Sequence, residues 1–351
     1  MQSIACDRWT VRGHASPGFG WGHACERLAV GLAGLGFDLR YVPTFRDPLN
    51  GLAWHLDADP RLAPVVGEAW PDAPVLHLGP PIDRTVPPGS VWLTMWEVDG
   101  VPPGFLERAN ACRALVVPTA WNAGVFRRHG VEVPIHVCPL GIDPGDWPDT
   151  GPRPAPGTLV LGTAGRASHG GARKGLDDVI RAFVAAFPEP DSEDVRLEVK
   201  CWPDDVTSQA HLAQPGVTYH RKAWPRERLA DWYGEVDVLL SASRGEGWGL
   251  MPHQAMACGT PVALAPWSGV AAYWTPECGW ALPYAMGVSD YPAYAGGAWA
   301  EPDFDGLVAT LRAISADRGS IAAKGRAAAS RAREFTWDDA VRRLAEILAA
   351  V

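Results

Sequence analysis

No apolar run in this 351-residue chain approaches the roughly 18 residues that a membrane span needs. The start, MQSIACDRWTVRG, has neither the basic n-region nor the apolar h-region of a secretory leader, so a soluble, cytoplasmic protein is expected. The seven cysteines (Cys6, Cys25, Cys112, Cys138, Cys201, Cys258, Cys278) are odd in number, scattered and without a C-x-x-C pair. That pattern excludes a disulfide framework and a structural zinc site, and leaves most of them as small core residues. Positive charge is in deficit. A formal net charge of -9 argues against tight, sequence-independent binding of nucleic acid, although it permits a local basic cleft. The basic residues are nearly all arginine, a side chain suited to bidentate phosphate contacts. Internal repeats and low-complexity segments are missing too. Two acidic dyads, Asp57 with Asp59 and Asp303 with Asp305, sit in loop-like contexts. The second precedes a helix, where aspartate caps well, so no metal site is expected.

What is present is a repeated grammar of short apolar runs and helical patterns. Up to about Asp143 the strand candidates are DLRYVPTF, PVLHLG, SVWLTMWEV, ALVVPT and IHVCPLGID, with helices in GHACERLAVGLAGLG and TAWNAGVFRRHG. Proline and glycine then break all periodicity from Asp143 to Gly157, as a linker does. Beyond it the grammar restarts with TLVLGTAG, VRLEVKCW, VTYHRKA, DVLLSAS and PVALAPW, alternating with helices near Gly175, Pro225 and Pro252. Two or three helices follow between Asp305 and Val351. Strand-helix alternation with apolar strands implies parallel sheets covered on both faces. The expected fold class is therefore α/β, with two Rossmann-like domains at 1-148 and 158-335 and a last helix over 336-351 that packs back on the first. Such domains bind ligands where the carboxyl ends of their strands face a cleft.

The densest segment is SRGEGWGLMPHQAMACGTPV, Ser243 to Val262. It follows the buried strand DVLLSAS, so Arg244 to Leu250 form the loop at that strand's carboxyl end, and Pro252 suits the first turn of a helix. Gly245, Gly247 and Gly249 let the backbone approach a ligand closely, while the amides of the helix start near Met251 can bind an anion. Glu246 offers a carboxylate to hydroxyls. Gln254, eight residues on, is placed in the first turn, facing the same pocket. Upstream, GTAGRASHGGARKG carries Gly165, Arg166, Arg173 and Lys174 between a strand and a helix, and a glycine-rich stretch with Gly18, Gly20 and Gly22 precedes the first helix. Glu97, in TMWEVDG, ends a buried strand. Most tryptophans should be core; Trp248 is the exception because it sits in the loop itself. His14, His23, His169 and His253 read as surface or capping residues.

The Ser243-Val262 segment resembles the E-x7-E region of the retaining glycosyltransferases of family four, which have the GT-B architecture. The likeness is close in the E-G-x-G-L core and the A-M-A-C-G-T-P-V tail, and departs from the family at Gln254, where the second glutamate is expected. What the resemblance implies is a nucleotide-sugar site: Glu246 near the transferred sugar, the backbone of Gly247, Trp248, Gly249, Leu250 and Met251 holding sugar and phosphate, and Gln254 at the ribose. An amide there has one acceptor oxygen and no charge, so donor recognition should be altered rather than the reaction class. Arg166 and Lys174 match the family's diphosphate clamp, with Gly165 beside them, and Gly20 and Gly22 match its glycine-rich loop. Glu97 matches a branch in which W-E follows a strand, and would orient the acceptor hydroxyl or take its proton.

The resemblance thus implies a metal-independent transferase that moves a sugar from a UDP- or GDP-sugar to a hydroxyl of a glycan, small molecule or modified DNA base, with retention of configuration and with no other cofactor. Domain closure would exclude water. Two alternatives stand beside it: a phage-type enzyme acting on a hydroxymethylated DNA base, and a nucleotide-sugar-binding protein that has lost catalysis, suggested by Gln254 and by the lack of the histidine many members carry opposite the sugar. The oligomeric state is not legible.

Overall fold

The computed structural model describes residues 8–14, 20–45, 59–151, 157–166, 171–191, 193–202 and 214–351. Cys6, Gly18, Asp57 and His169, singled out above, lie outside them. The chain divides into two compact units: Met1–Trp96 with Gly100–Gly141 and Phe335–Val351, and Glu97–Asp99 with Ile142–Glu334.

In the first unit, β1 (Arg8–His14), β2 (Asp38–Phe45), β3 (Val75–Leu78), β4 (Val91–Leu93), β5 (Ala114–Val117) and β6 (Ile135–Val137) form one sheet in the order β2-β1-β3-β4-β5-β6. Every pairing is parallel. The helices between them are α1 (Gly20–Gly34), α2 (Phe105–Asn110) and α3 (Ala120–Arg128), the last capped by the Thr119 hydroxyl, which accepts the Asn122 N–H at 3.1 Å. The strand order reverses between β1 and β3. In an open α/β sheet that switch point, at the carboxyl ends of the strands, is where ligands bind.

The second unit has its own sheet of β7 (Leu159–Ala164), β8 (Val195–Cys201), β9 (Val217–Arg221), β10 (Val238–Ser241), β11 (Val262–Leu264) and β12 (Gly279–Ala281), in the order β12-β11-β10-β7-β8-β9. Counted from β7, this is the doubly wound order of dinucleotide-binding folds, and its switch point falls between β7 and β10. Its helices are α4 (Gly171–Lys174), α5 (Leu176–Ala186), α6 (Arg226–Glu235), α7 (Leu250–Ala257), α8 (Phe304–Ala316) and α9 (Ile321–Ala332). A separate antiparallel hairpin, β13 (Tyr284–Val288) with β14 (Ala298–Pro302), lies between β12 and α8. The core is aliphatic and aromatic: Leu161, Val179, Phe183, Leu197, Val199 and Leu240 are essentially inaccessible to solvent.

The final helix, α10 (Trp337–Ala350), belongs to the first unit, where it packs on α1. Thr336 caps it by accepting the Asp339 N–H at 3.1 Å, and Trp337, Val341, Leu344 and Leu348 are its buried stripe. The division falls at Gly141/Ile142, ahead of the proline-rich stretch, because that stretch is held by the second unit. Asp146 pairs with Arg226 at 3.0 Å, the Trp147 ring lies 5.9 Å from that of Tyr233, and the Thr150 hydroxyl donates to the Cys258 carbonyl at 3.2 Å. The Glu97–Asp99 segment joins the second unit for a similar reason: Asp99 exchanges backbone hydrogen bonds of 2.8 and 3.0 Å with Ala298 of β14. Cys25, Cys112, Cys138, Cys201, Cys258 and Cys278 are buried free thiols. Among the described residues no helix is long and apolar enough to cross a membrane, and no three His, Cys, Asp or Glu side chains are gathered to hold a metal. Asp303 caps α8 instead, accepting the Gly306 N–H at 3.3 Å.

Candidate active site

At the switch point of the second unit, the turn after β10, the segment after β7 and the Glu97–Asp99 segment bring four charged side chains together. Glu246 is the centre. Lys174 Nζ donates to its Oε1 at 2.6 Å, Ser243 Oγ donates to the same oxygen at 2.8 Å, and Arg173 pairs with Oε2 at 3.3 Å. All three charged side chains are nearly enclosed, with 10% of Glu246, 12% of Arg173 and 19% of Lys174 exposed. Burial pushes the Glu246 carboxyl up, but Lys174 and Arg173 outweigh it and hold the group down at about 2. The same burial lowers the Lys174 ammonium against the opposing pull of Glu246, whereas the adjacent carboxylates keep Arg173 firmly charged.

Glu97 is the fourth member. Burial raises its carboxyl despite the Arg173 cation, and Glu246 raises it further. Its Oε2 is buried with no hydrogen-bond partner. Two carboxyl groups thus belong to one buried cluster that acts on them in opposite directions: two cations hold Glu246 down, while burial raises Glu97. Such a divergence is how acid and base roles are separated at neutral pH. Tyr294, on the hairpin loop, completes the wall, its ring 5.7 Å from the Arg173 guanidinium.

The loop is fixed by its backbone. Glu246 N–H donates to Ser268 Oγ at 2.9 Å and Gly269 N–H to the Glu246 carbonyl at 2.8 Å. Ser268 holds a left-handed φ of +64°, a conformation that favours glycine, yet only a side chain with an oxygen can accept the Glu246 amide. Gly249 (φ +88°) is the N-cap residue of α7 and has no side chain with which to cap it; Tyr273 Oη donates to its carbonyl at 2.7 Å. The amides of Leu250 and Met251, in the first turn of α7, have no intrahelical acceptor. Gly245 differs from expectation. A Cβ there would lie 1.8 Å from the Glu97 carbonyl oxygen, so its lack of a side chain admits the Glu97 backbone rather than a ligand; that backbone is a bend beyond β4, which ends at Leu93 and not at Glu97 as expected.

Other expectations are corrected as well. The Trp248 indole is 1% exposed, donating to His253 Nδ1 at 3.2 Å and packing on Tyr273, so only its backbone can face a ligand. His253 is equally buried, a packing residue whose Nε2 reaches the Ala332 carbonyl at 3.0 Å; burial lowers it to about 4 and keeps it neutral. His23 is a buried residue of α1, set edge-on to Trp337 at 5.6 Å. Gly20 and Gly22 lie in the first turn of α1 rather than in a loop, and the first unit holds them. Pro252 is the third residue of α7 and Gln254 the fifth, one position beyond the first turn. Gln254 is 7% exposed. Gly165 packs on Leu176 and Lys174, and Arg166 lies over the Trp202 ring at 5.3 Å.

Sequence reasoning names Arg173 beside Lys174 without giving it a role, although both reach Glu246, and it misses two further contributors. Arg244 was not noticed. Its amide donates to the Arg173 carbonyl at 2.7 Å, and its guanidinium binds Asp178 at 2.8 Å, Glu301 at 2.7 Å and the Ala172 carbonyl, so it grips the turn that carries both cations. Tyr294 comes from the hairpin, which has no signal in the sequence pattern.

Comparison with known proteins supplies the family. Residues 158–285 match the family described as Glycosyl transferases group 1. A D-inositol 3-phosphate glycosyltransferase of Xylanimonas cellulosilytica is 30% identical over 313 residues, covering 81% of this chain and 68% of the relative. The sucrose-phosphate synthase of Thermosynechococcus elongatus superposes with a TM-score of 0.70 at 16% identity, covering 97% of this chain and 98% of its own. Anabaena HepE, solved with UDP and glucose, superposes with a TM-score of 0.68 at 13% identity, over 98% and 100% of the two chains. The two structures speak for the GT-B fold. The relative that aligns across both units extends the likeness from fold to family, and the chain belongs to the group 1 glycosyl transferases.

Proposed function

We propose that this enzyme transfers a sugar from a UDP-sugar to a hydroxyl of a small polyol, with retention of configuration and without a metal ion. The observation that carries the reading is the Arg173–Lys174–Glu246 cluster at the switch point of a doubly wound sheet. Lys174, with Arg166, would take the donor diphosphate, joined by the Leu250 and Met251 amides, and Glu246 would take hydroxyls of the sugar. Fixed cations stabilise the charge that builds on the departing diphosphate, the usual main term in such chemistry. Glu97 would orient the acceptor hydroxyl or receive its proton. Uridine is preferred over guanosine because HepE was solved with UDP and glucose, and a small polyol because several relatives are named for D-inositol 3-phosphate. The reading as a DNA-modifying enzyme gains no support from these relatives or from the net charge of -9.

The test is turnover of UDP-glucose with inositol 3-phosphate, followed by NMR of the new anomeric proton. An axial linkage from the axial donor is expected; an inverted product, or no cleavage of any UDP- or GDP-sugar, overturns the reading. Gln254 is a second handle. Gln254→Glu should tighten UDP by about fivefold, since a carboxylate replaces a neutral acceptor at the ribose. Unchanged affinity by calorimetry would remove Gln254 from the ribose site.

A further inference from the structure

The first unit has a switch point of its own, between β1 and β3, and a second polar cluster is built there. His14 ends β1, His77 lies in β3, and Asp83 follows in the loop to β4. His77 is fully buried and its Nε2 meets Asp83 Oδ2 at 3.0 Å. Thr85 donates twice to Asp83 Oδ1, from its amide and its hydroxyl, each at 2.8 Å. The loop is rigid: Trp92 Nε1 donates to the Gly79 carbonyl at 3.0 Å and Arg108 to the Pro81 carbonyl at 2.8 Å. Gly79 leaves room for the pair, since a Cβ there would come within 3.0 Å of His77 Nε2.

Packing does not account for this cluster. His77 Nδ1 is buried with no hydrogen-bond partner, an unfavourable deficit that an aliphatic residue in β3 would not carry. What the imidazole does is hold Asp83. With Oδ1 accepting two hydrogen bonds and Oδ2 only one, a carboxylate of about four acceptor sites keeps capacity at Oδ2, and 13% of the side chain is open to solvent. Although burial opposes it, hydrogen bonds from His77 and Thr85 keep Asp83 well below the ordinary carboxylate range, so it stays an acceptor at any working pH. His14, lowered by burial, lies within electrostatic reach of Asp83, and its ring is 6.4 Å from that of Trp21.

From this geometry we infer that Asp83, positioned by His77, accepts a hydroxyl of a neutral or phosphorylated polyol at Oδ2, at the first unit's switch point. The carboxylate takes the hydroxyl face and repels a phosphate, so a phosphorylated polyol would sit with its phosphate turned away from Asp83. Asp83 touches the ligand; His77 acts through Asp83. That this polyol is the acceptor of transfer rests on the proposed function, but the binding itself does not.

The test is titration of the full chain, labelled with 15N-histidine, with myo-inositol, glucose and glycerol as probes. Millimolar polyol should shift the ring signals of His14 and His77. Asp83→Asn should weaken the response by roughly tenfold or more. His77→Leu should weaken it several-fold while His77→Gln, which keeps a donor at the Nε2 position, restores most of it, a split that a merely structural histidine would not produce. UDP affinity of the same samples reports that the second unit is folded. No shift with any of the three polyols, an equal response in Asp83→Asn, or a shift produced equally by inorganic phosphate overturns the site. A wild-type chain that binds the polyols but neither binds UDP nor cleaves UDP-glucose would count against the glycosyl-transfer reading alone.

Discussion

Lys174→Ala should lower sugar transfer by about a hundred- to a thousandfold, the usual cost of deleting one preorganised group that faces developing charge. Lys174 ends α4, with its ammonium 2.6 Å from Glu246 in an enclosed pocket, so its charge acts with little solvent screening. The loss should fall on kcat at saturating UDP-glucose as well as on KM, because the diphosphate carries more charge when leaving than when bound. Lys174→Arg should restore only part of it, since a planar fork does not occupy the place of a point charge. Single-turnover kinetics with UDP-glucose give the measurement, and a loss of less than tenfold would remove Lys174 from the reaction. Arg173 remains at 3.3 Å from Glu246 in the variant, so the carboxylate keeps one partner and the protein should still fold.

How far the sequence reaches can be judged from individual elements. Runs such as ALVVPT and DVLLSAS are legible because an inner parallel strand is apolar on both faces and closes on turn residues. β1 escapes because the alternation of Arg8, Thr10 and Arg12 with apolar residues is the pattern of a half-exposed strand and not the apolar run expected of an inner parallel one, and β12, three residues long, has no pattern to read. The hairpin of β13 and β14 lies outside the six-stranded sheet and carries exposed Met286 and Val288, so neither amphipathic alternation nor a buried run marks it. At the site, the spacing of Glu246, Gly249 and Gln254 is readable, but which way each side chain turns is not. Trp248 and Lys174 both sit in glycine-rich segments, and tertiary packing sends one into the core and the other to the carboxylate. Gly245 belongs to a glycine pattern that suggests a ligand, yet its neighbour is the Glu97 carbonyl, distant in sequence. The Asp83 site has no motif at all; only the parallel pairing of β1 with β3 brings His14 and His77 to one edge.

The second large effect concerns Glu246 and separates its electrostatic role from its catalytic one. Glu246→Gln keeps the shape and leaves Arg173 and Lys174 facing each other without the anion between them, which should destabilise the protein by about 3–5 kcal/mol at neutral pH. The buried lysine can relieve part of this by losing its proton, as burial already lowers it. The pH dependence fixes the sign. A carboxyl held at about 2 against an ordinary 4.5 contributes stability that is fully present above 4.5 and is lost as the pH falls through about 2. Wild-type urea midpoints should therefore fall across that window more steeply than those of the glutamine variant, and the two should converge at the acid end. UDP supplies the complementary test. Its diphosphate can replace the missing negative charge, so the thermal shift at saturating UDP should be larger for Glu246→Gln than for wild type, while sugar transfer stays far below it. A variant that melts like wild type at neutral pH, with the same acid slope and the same UDP shift, would mean that Glu246 does not balance these cations, and the clamp would have to be built from Arg166 and the loop amides alone.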